Sequence, residues 1–277
     1  GIAADGWRRL MTGEALTRTW NALQASPIQI TVSGWDFALL AVATAMGTAM
    51  AYIPSPRWKA LVLSLPFPFT VASLSLSAPV GASHSLGLVA LLMYTHLVRW
   101  LHYALKLPIV PAITASALSY VGLGIALNRL VPQTPFTFWL FLAAALALGL
   151  AAAALLAHRE EPAHRSPLPI AVKVVTIAGV VAMLVLLKSL LGGFMTIFPL
   201  VGIIGGYESR KSLRTLGRQI SLNMVTLAPM VGLMWVLQQH AGASVAASLA
   251  AGWVLLLCLL VPLILIQNRG LSRGSGQ

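Results

Sequence analysis

The chain holds 277 residues, of which 58% are hydrophobic and only 9% charged, and its mean hydropathy is +0.86. Soluble domains carry roughly a quarter charged residues, so this composition cannot cover a water-facing surface and excludes a soluble enzyme, a nucleic-acid-binding domain and a disordered chain. The net charge of +12 reads as Lys and Arg collected in the cytoplasmic loops of a multi-pass protein of a bacterial inner membrane, with the lipid bilayer as its surroundings.

Residues 1–35 stand apart: Trp7, Arg8, Arg9, Arg18 and Trp20 recur at mixed spacing and predict an amphipathic segment lying in the membrane interface. No secretory leader pattern is present there, and the chain begins at Gly1 rather than Met, which leaves room for a native start upstream. Apolar windows then predict nine transmembrane helices, at 36–53, 59–78, 85–106, 109–131, 136–157, 170–191, 194–207, 213–238 and 244–267. The single Cys258 falls in the last of these, so neither a disulfide framework nor a Cys-based metal site is expected.

Basic residues follow every second span. They are Arg57 and Lys59, Arg99 and Lys106, Arg159 and Arg165, the group Arg210, Lys211, Arg214 and Arg218, and finally Arg269 and Arg273. The stretches after the second, sixth and eighth spans carry none. This alternation predicts a cytoplasmic C-terminus, although the arginines of residues 1–35 run against it.

Two spans share an interruption, Leu65-Pro66-Phe67-Pro68 in the second and Ile197-Phe198-Pro199 in the seventh. Pairing Phe67-Pro68 with Phe198-Pro199 sets an offset of 131 residues (199 − 68), which carries the first four spans onto the last four. The predicted fold is thus an all-α polytopic membrane protein built of two inverted four-helix repeats with Pro-broken helices. Residues 36–131 form the first repeat, 132–167 a connecting helix and cytoplasmic loop, 168–268 the second repeat, and 269–277 a cytoplasmic tail. Inverted repeats with matched broken helices point to a transporter or channel-like protein whose site lies at the membrane midplane.

Proline removes a backbone donor and clashes with the preceding turn, and in lipid the freed groups must be satisfied internally or face a wet cavity. Phe67, Pro68, Phe198 and Pro199 are therefore expected to line the substrate site, with hydrogen bonds from Thr70, Thr196 and Asn223. His96 and Arg99 would set a preference for a small or lipid-linked anion; the blander readings are a satisfied core histidine and an anchor snorkelling to the interface. Tyr207, Glu208 and Arg210 would gate the site, or simply pair locally. Lys173 and Lys188 read as interfacial anchors, and no carboxylate is expected deep in a span. Enzyme signatures are missing, so neither catalysis, a cofactor nor a metal is predicted.

Phe198-Pro199, the apolar run 201–204, Tyr207, Glu208, Arg210 and Ser212-Leu213-Arg214 together resemble the GlpM-like family of small four-span membrane proteins. The family pattern has a lysine-started apolar span, a Phe-Pro break, an aromatic, a Glu-Arg-Ser cluster and an arginine-led span. In this chain Ser209 separates Glu208 from Arg210. The resemblance covers about residues 168–268 and implies two such units fused head to tail. The alternative is a non-catalytic subunit of a homo-oligomer or larger membrane complex, packing through the alanine-rich stretches 143–154 and 243–252.

Overall fold

The computed structural model describes residues 33–53, 62, 65–156 and 169–274. The chain divides into two units, Gly1–Thr31 and Val32–Gln277. The interfacial segment predicted for 1–35 lies outside the described residues except for its last three, as do 59–61 and 63–64 of the second predicted span and the connecting loop 157–168.

Every described element is a helix: α1 (Gly34–Tyr52), α2 (Phe67–Leu76), α3 (Ala82–Tyr103), α4 (Ile109–Leu130), α5 (Pro135–Leu155), α6 (Ile170–Leu191), α7 (Gly193–Thr196), α8 (Leu200–Glu208), α9 (Leu213–His240) and α10 (Val245–Gly274). Five of these, α4, α5, α6, α9 and α10, are long and apolar enough to cross a membrane, the character of a multi-pass membrane protein. Helices α1 and α3 are 19 and 22 residues long. Asp36 stands in the first, and His84, His96, Arg99 and His102 in the second.

Starts and stops follow local chemistry. Ser33 caps α1, and Asp36 accepts from the Ser33 N–H at 2.6 Å. Thr134 Oγ1 accepts from the Thr137 N–H at 3.2 Å, with Pro135 at the first position of α5. Helix α6 stops at Gly192, whose φ of +51° suits glycine. Two predicted boundaries change. The seventh span is two helices, α7 and α8, separated by 197–199, because Pro199 cannot donate into a continuous turn. The last helix runs on to Gly274, into the predicted tail, because no proline follows Pro262 to stop it.

Long-range hydrogen bonds give the helices their directions. Asp36, near the start of α1, pairs with Lys188, near the end of α6, so these two helices are antiparallel. The Val80 N–H, just before α3, donates to Gln238 of α9 at 2.7 Å, and Tyr103 at the end of α3 donates to the Arg210 carbonyl at 3.5 Å. Helices α3 and α9 are therefore antiparallel too. One end of the bundle is marked by Asp36 and Lys188, the other by Glu208 and Arg210.

Packing partners recur in pairs. Helix α5 lies against both α3 and α9; α4 packs on α3 as α10 packs on α9; α8 touches α4 as α2 touches α10. Helix α5 comes close to α9, where a Cβ on Gly149 would stand 2.7 Å from Met224 and 2.9 Å from the Ser221 carbonyl. Two apolar cores result, one around Tyr94, Tyr120, Phe194 and Phe198, the other around Leu88, Phe138, Met224 and Met234.

Candidate functional site

Prolines open both half-helices. Pro66 is the N-cap of α2 with φ −83° and ψ 43°, and Pro199 is the N-cap of α8 with φ −73° and ψ 53°. The backbone counterpart of Pro199 is therefore Pro66, whereas the sequence pairing chose Pro68. Pro68 sits at the second position of α2, where a proline costs no intrahelical bond. The first intrahelical bonds also correspond: Thr70 N–H to Pro66 O and Ile203 N–H to Pro199 O, both 2.9 Å. The N–H groups before them, those of Phe67 and Phe69 in α2 and of 200–202 in α8, have no carbonyl one turn earlier in their own helix.

Between these two N-termini lies a cavity of about 110 Å³. Pro66, Pro68 and Phe69 line it from α2, Phe198, Pro199 and Gly202 from the second break and α8, Thr196 from α7, and Asn223 and Met224 from α9. Helix α2 leaves the cavity towards Asp36, since Ser75 near its end donates to the Asp36 carboxylate. Helix α8 leaves it the opposite way, towards Glu208. A cavity entered by two helix N-termini, one from each end, carries positive potential from both.

The polar lining is small. Thr196 Oγ1 donates to the Gly193 carbonyl at 2.7 Å, which leaves its oxygen lone pairs available. Asn223 is buried, and its Oδ1 accepts from Gln219 Nε2 at 3.2 Å. The rest is apolar, and no ionisable side chain stands among the described lining residues.

Of the residues singled out by sequence, Pro68, Thr196, Phe198, Pro199 and Asn223 meet at this cavity. Four others do not line it. Phe67 is 44% exposed on the outer face, with its ring 5.0 Å from that of Trp253. Residues 67 and 69 are about 200° apart on a helix, so only one can face inward, and it is Phe69. Thr70 accepts from Trp253 Nε1 at 2.8 Å and donates to Pro66 O at 2.9 Å, tying α2 to α10. His96 Nε2 lies 3.4 Å from Ser221 Oγ on α9. Five residues beyond Leu91 of the lining, it is about 8 Å farther along α3 towards the Glu208 end. Arg99, half-buried, lies about 12 Å beyond Leu91 in the same direction, and its Nε has no hydrogen-bond partner among the described residues.

The three expected gating residues sit together at that end. Arg210 places its guanidinium 4.9 Å from the centroid of the Tyr207 ring and donates to the Tyr207 carbonyl at 3.4 Å. Glu208 is 1% exposed.

One expectation about charge is overturned. Lys188 is no interfacial anchor: it is buried, with Nζ 2.8 Å from Asp36 Oδ2. Asp36 and Glu208 are buried carboxylates at helix ends, the one in the first turn of α1 and the other the last residue of α8. Lys188 reads as a helix-end cation from its position alone, and the burial arises because α6 ends against the start of α1. Sequence also missed Phe69, whose only signal was the helical phase set by the Pro66 cap. Among the described residues no three His, Cys, Asp or Glu side chains stand close enough to hold a metal.

Comparison of the chain with protein-family models, with curated proteins and with solved structures gives no match.

Proposed function

We propose that this chain is a transporter or channel-like protein that passes a small anion through the cavity between its two proline-capped half-helices. The observation that carries the reading is the meeting of two helix N-termini at one cavity, from which the helices depart in opposite directions. Unpaired backbone N–H groups at such termini favour negative charge, and the buried Asn223 adds an amide. A water needs roughly 10–15 Å³ of such space, so about 110 Å³ suits a small ion with a few waters and not a lipid-linked headgroup. With no cationic side chain in the described lining, a monovalent anion suits it better than a phosphate dianion.

The architecture we propose beneath it is nine membrane crossings in a bacterial inner membrane, arranged as two inverted repeats around α5. The antiparallel pairs α1/α6 and α3/α9, and the matched packing of α4 and α10, support that arrangement. Arg210, Lys211, Arg214 and Arg218 favour a cytoplasmic side for the Glu208 end and, with it, for the C-terminus. His96 and Arg99, on the cytoplasmic side of the cavity, would draw anions towards it. The chain performs no catalysis and takes no cofactor on this reading.

The test is flux into liposomes carrying the purified protein, with nitrate, thiocyanate, phosphate and glycerol as separate probes. Protein-dependent nitrate or thiocyanate flux that Asn223→Leu abolishes supports the reading. Equal glycerol and anion flux removes the charge preference, and no flux of any probe removes the transport function.

A second reading, a non-catalytic subunit packed within a larger membrane complex or homo-oligomer, is favoured by one feature. Ala143, Ala147 and Ala151 are exposed at four-residue spacing on α5, a small-residue stripe that lets helices approach closely. Co-purification of stoichiometric partner chains in mild detergent, together with absent flux, would support it.

A further inference from the structure

We infer that the buried Asp36–Lys188 pair is the gate that closes the cavity towards the end opposite Glu208. The inference rests on the transport reading and adds to it the residues that must part.

The Asp36 carboxylate gathers every donor around it. Lys188 Nζ donates at 2.8 Å, the Ser33 N–H at 2.6 Å and Ser33 Oγ at 3.1 Å, and Ser75 Oγ donates as well. Asp36, Lys188 and Ser75 are all buried. The cluster therefore binds three elements together: the start of α1, the far end of α2 and the end of α6. Those are elements that wall the cavity or lead into it. Met46 of α1 and Phe69 of α2 line it, and α6 continues through α7 to Thr196. Ser75 lies six residues beyond Phe69, about 9 Å along the helix. An ion leaving past the end of α2 meets this knot.

At the other end Glu208 lies six residues beyond Gly202 of the lining, again about 9 Å, and is buried at the last residue of α8. Each half-helix thus runs from the cavity to a buried carboxylate at its own end of the bundle. An alternating-access cycle needs one closure on each side of the site. Sequence placed a gate only at Tyr207, Glu208 and Arg210.

An ion pair suits a closure that must open. Closed, the charges compensate each other and the serines fill the remaining acceptor sites; open, water hydrates both. The two states therefore lie close in free energy, whereas a purely apolar contact would favour the closed state alone.

The experiment uses the full chain with Cys258→Ser and a single cysteine at Leu227→Cys in the cavity wall. It is reconstituted in vesicles and treated with a membrane-impermeant methanethiosulfonate reagent from either side. A cysteine at Ala241→Cys, in the exposed turn after α9, identifies the face carrying the Asp36 end. The expected result in the parent is labelling from the Glu208 end at about ten times the rate from the Asp36 end. Adding Asp36→Asn with Lys188→Met, which leaves no lone buried charge, is expected to raise labelling from the Asp36 end about tenfold. Ser75→Ala, which keeps both charges, is expected to raise it about threefold, and supplies the readout if the double variant does not fold. Rates unchanged within about twofold in both variants, or a parent labelled equally from the two ends while flux persists, overturn the gate and leave the transport reading standing. Labelling from neither end in any variant overturns both, because the cavity then has no aqueous route.

Discussion

Pro66 and Pro199 cap α2 and α8 in nearly one backbone conformation, φ −83°, ψ 43° and φ −73°, ψ 53°, although 133 residues separate them (199 − 66). Each proline begins a half-helix whose first N–H groups have no carbonyl one turn earlier in that helix. Alanine at either position restores a donor and relaxes φ. Pro66→Ala and Pro199→Ala are each expected to lower nitrate flux about tenfold, equivalent to about 1.4 kcal/mol, with the helical circular dichroism unchanged or increased. Pro68→Ala, at a position where proline is merely tolerated, is expected to change flux by less than about threefold. Equal effects at Pro66 and Pro68 would mean that the cap geometry is not what matters.

Phe67 and Phe69 differ by two residues and by which side of the protein they see. Phe67→Leu trades one lipid-facing apolar group for another, and flux is expected to stay within about twofold. Phe69→Ala removes a buried ring beside the cavity; lost burial and a new void together cost about 3–5 kcal/mol. The variant is expected to show a lower melting temperature by tryptophan fluorescence as well as altered flux.

Thr70 tests the tie between α2 and α10 separately. Thr70→Val keeps the volume but leaves the half-buried Trp253 Nε1 without its acceptor, which costs about 1 kcal/mol. Trp253→Phe removes the donor too, so the double variant is expected to be closer to parental stability than the sum of the singles. Additive losses would show that the 2.8 Å bond contributes nothing of its own.

Helices α5 and α9 meet where any side chain at 149 must displace backbone. A methyl group there would stand 2.9 Å from the Ser221 carbonyl, which cannot swing aside as a side-chain tip can. Gly149→Leu is expected to destabilise by about 1–3 kcal/mol or more through overpacking, visible as aggregation on fluorescence-detected size exclusion. Gly122→Ala on α4, where a Cβ would meet nothing within 4 Å, is the control and is expected to behave as the parent.

Removing one member of the Asp36–Lys188 pair leaves the other a buried charge without its counterion. Asp36→Asn or Lys188→Met alone is expected to cost about 3–5 kcal/mol, and the double variant less than either. The check is a thermal-unfolding cycle over the four proteins. Simple additivity would show that the two charges do not sense each other at 2.8 Å.

Much of the architecture is legible in one dimension. The sixth predicted span, 170–191, coincides with α6, and the first, fourth and fifth fall within two residues of α1, α4 and α5, because an apolar run of bilayer length bounded by proline, glycine or charge has few other states. The break at Pro199 and the helix start at Pro66 could be read the same way: proline acts on the backbone of its own turn, so its effect is local. Helical phase is not local in that sense. Phe67 and Phe69 are both apolar neighbours of Pro68, and the choice between them followed from where Trp253 of α10 arrived.

His96 and Arg99 show a second limit. Sequence puts them mid-helix and makes them costly, yet only the packing of α3 on α9 sets them beyond the cavity, on its Glu208 side, with His96 beside Ser221. Composition and the spacing of apolar and proline residues by themselves determined a helical, membrane-suited chain with two interrupted helices, since those properties depend on neighbours within a turn or a span. Tertiary structure alone decided that the interruptions meet at one cavity and that Asp36 lies against Lys188, 152 positions away. Such pairings depend on which helix faces pack together, and a hydropathy pattern is the same for every rotation of a helix about its axis.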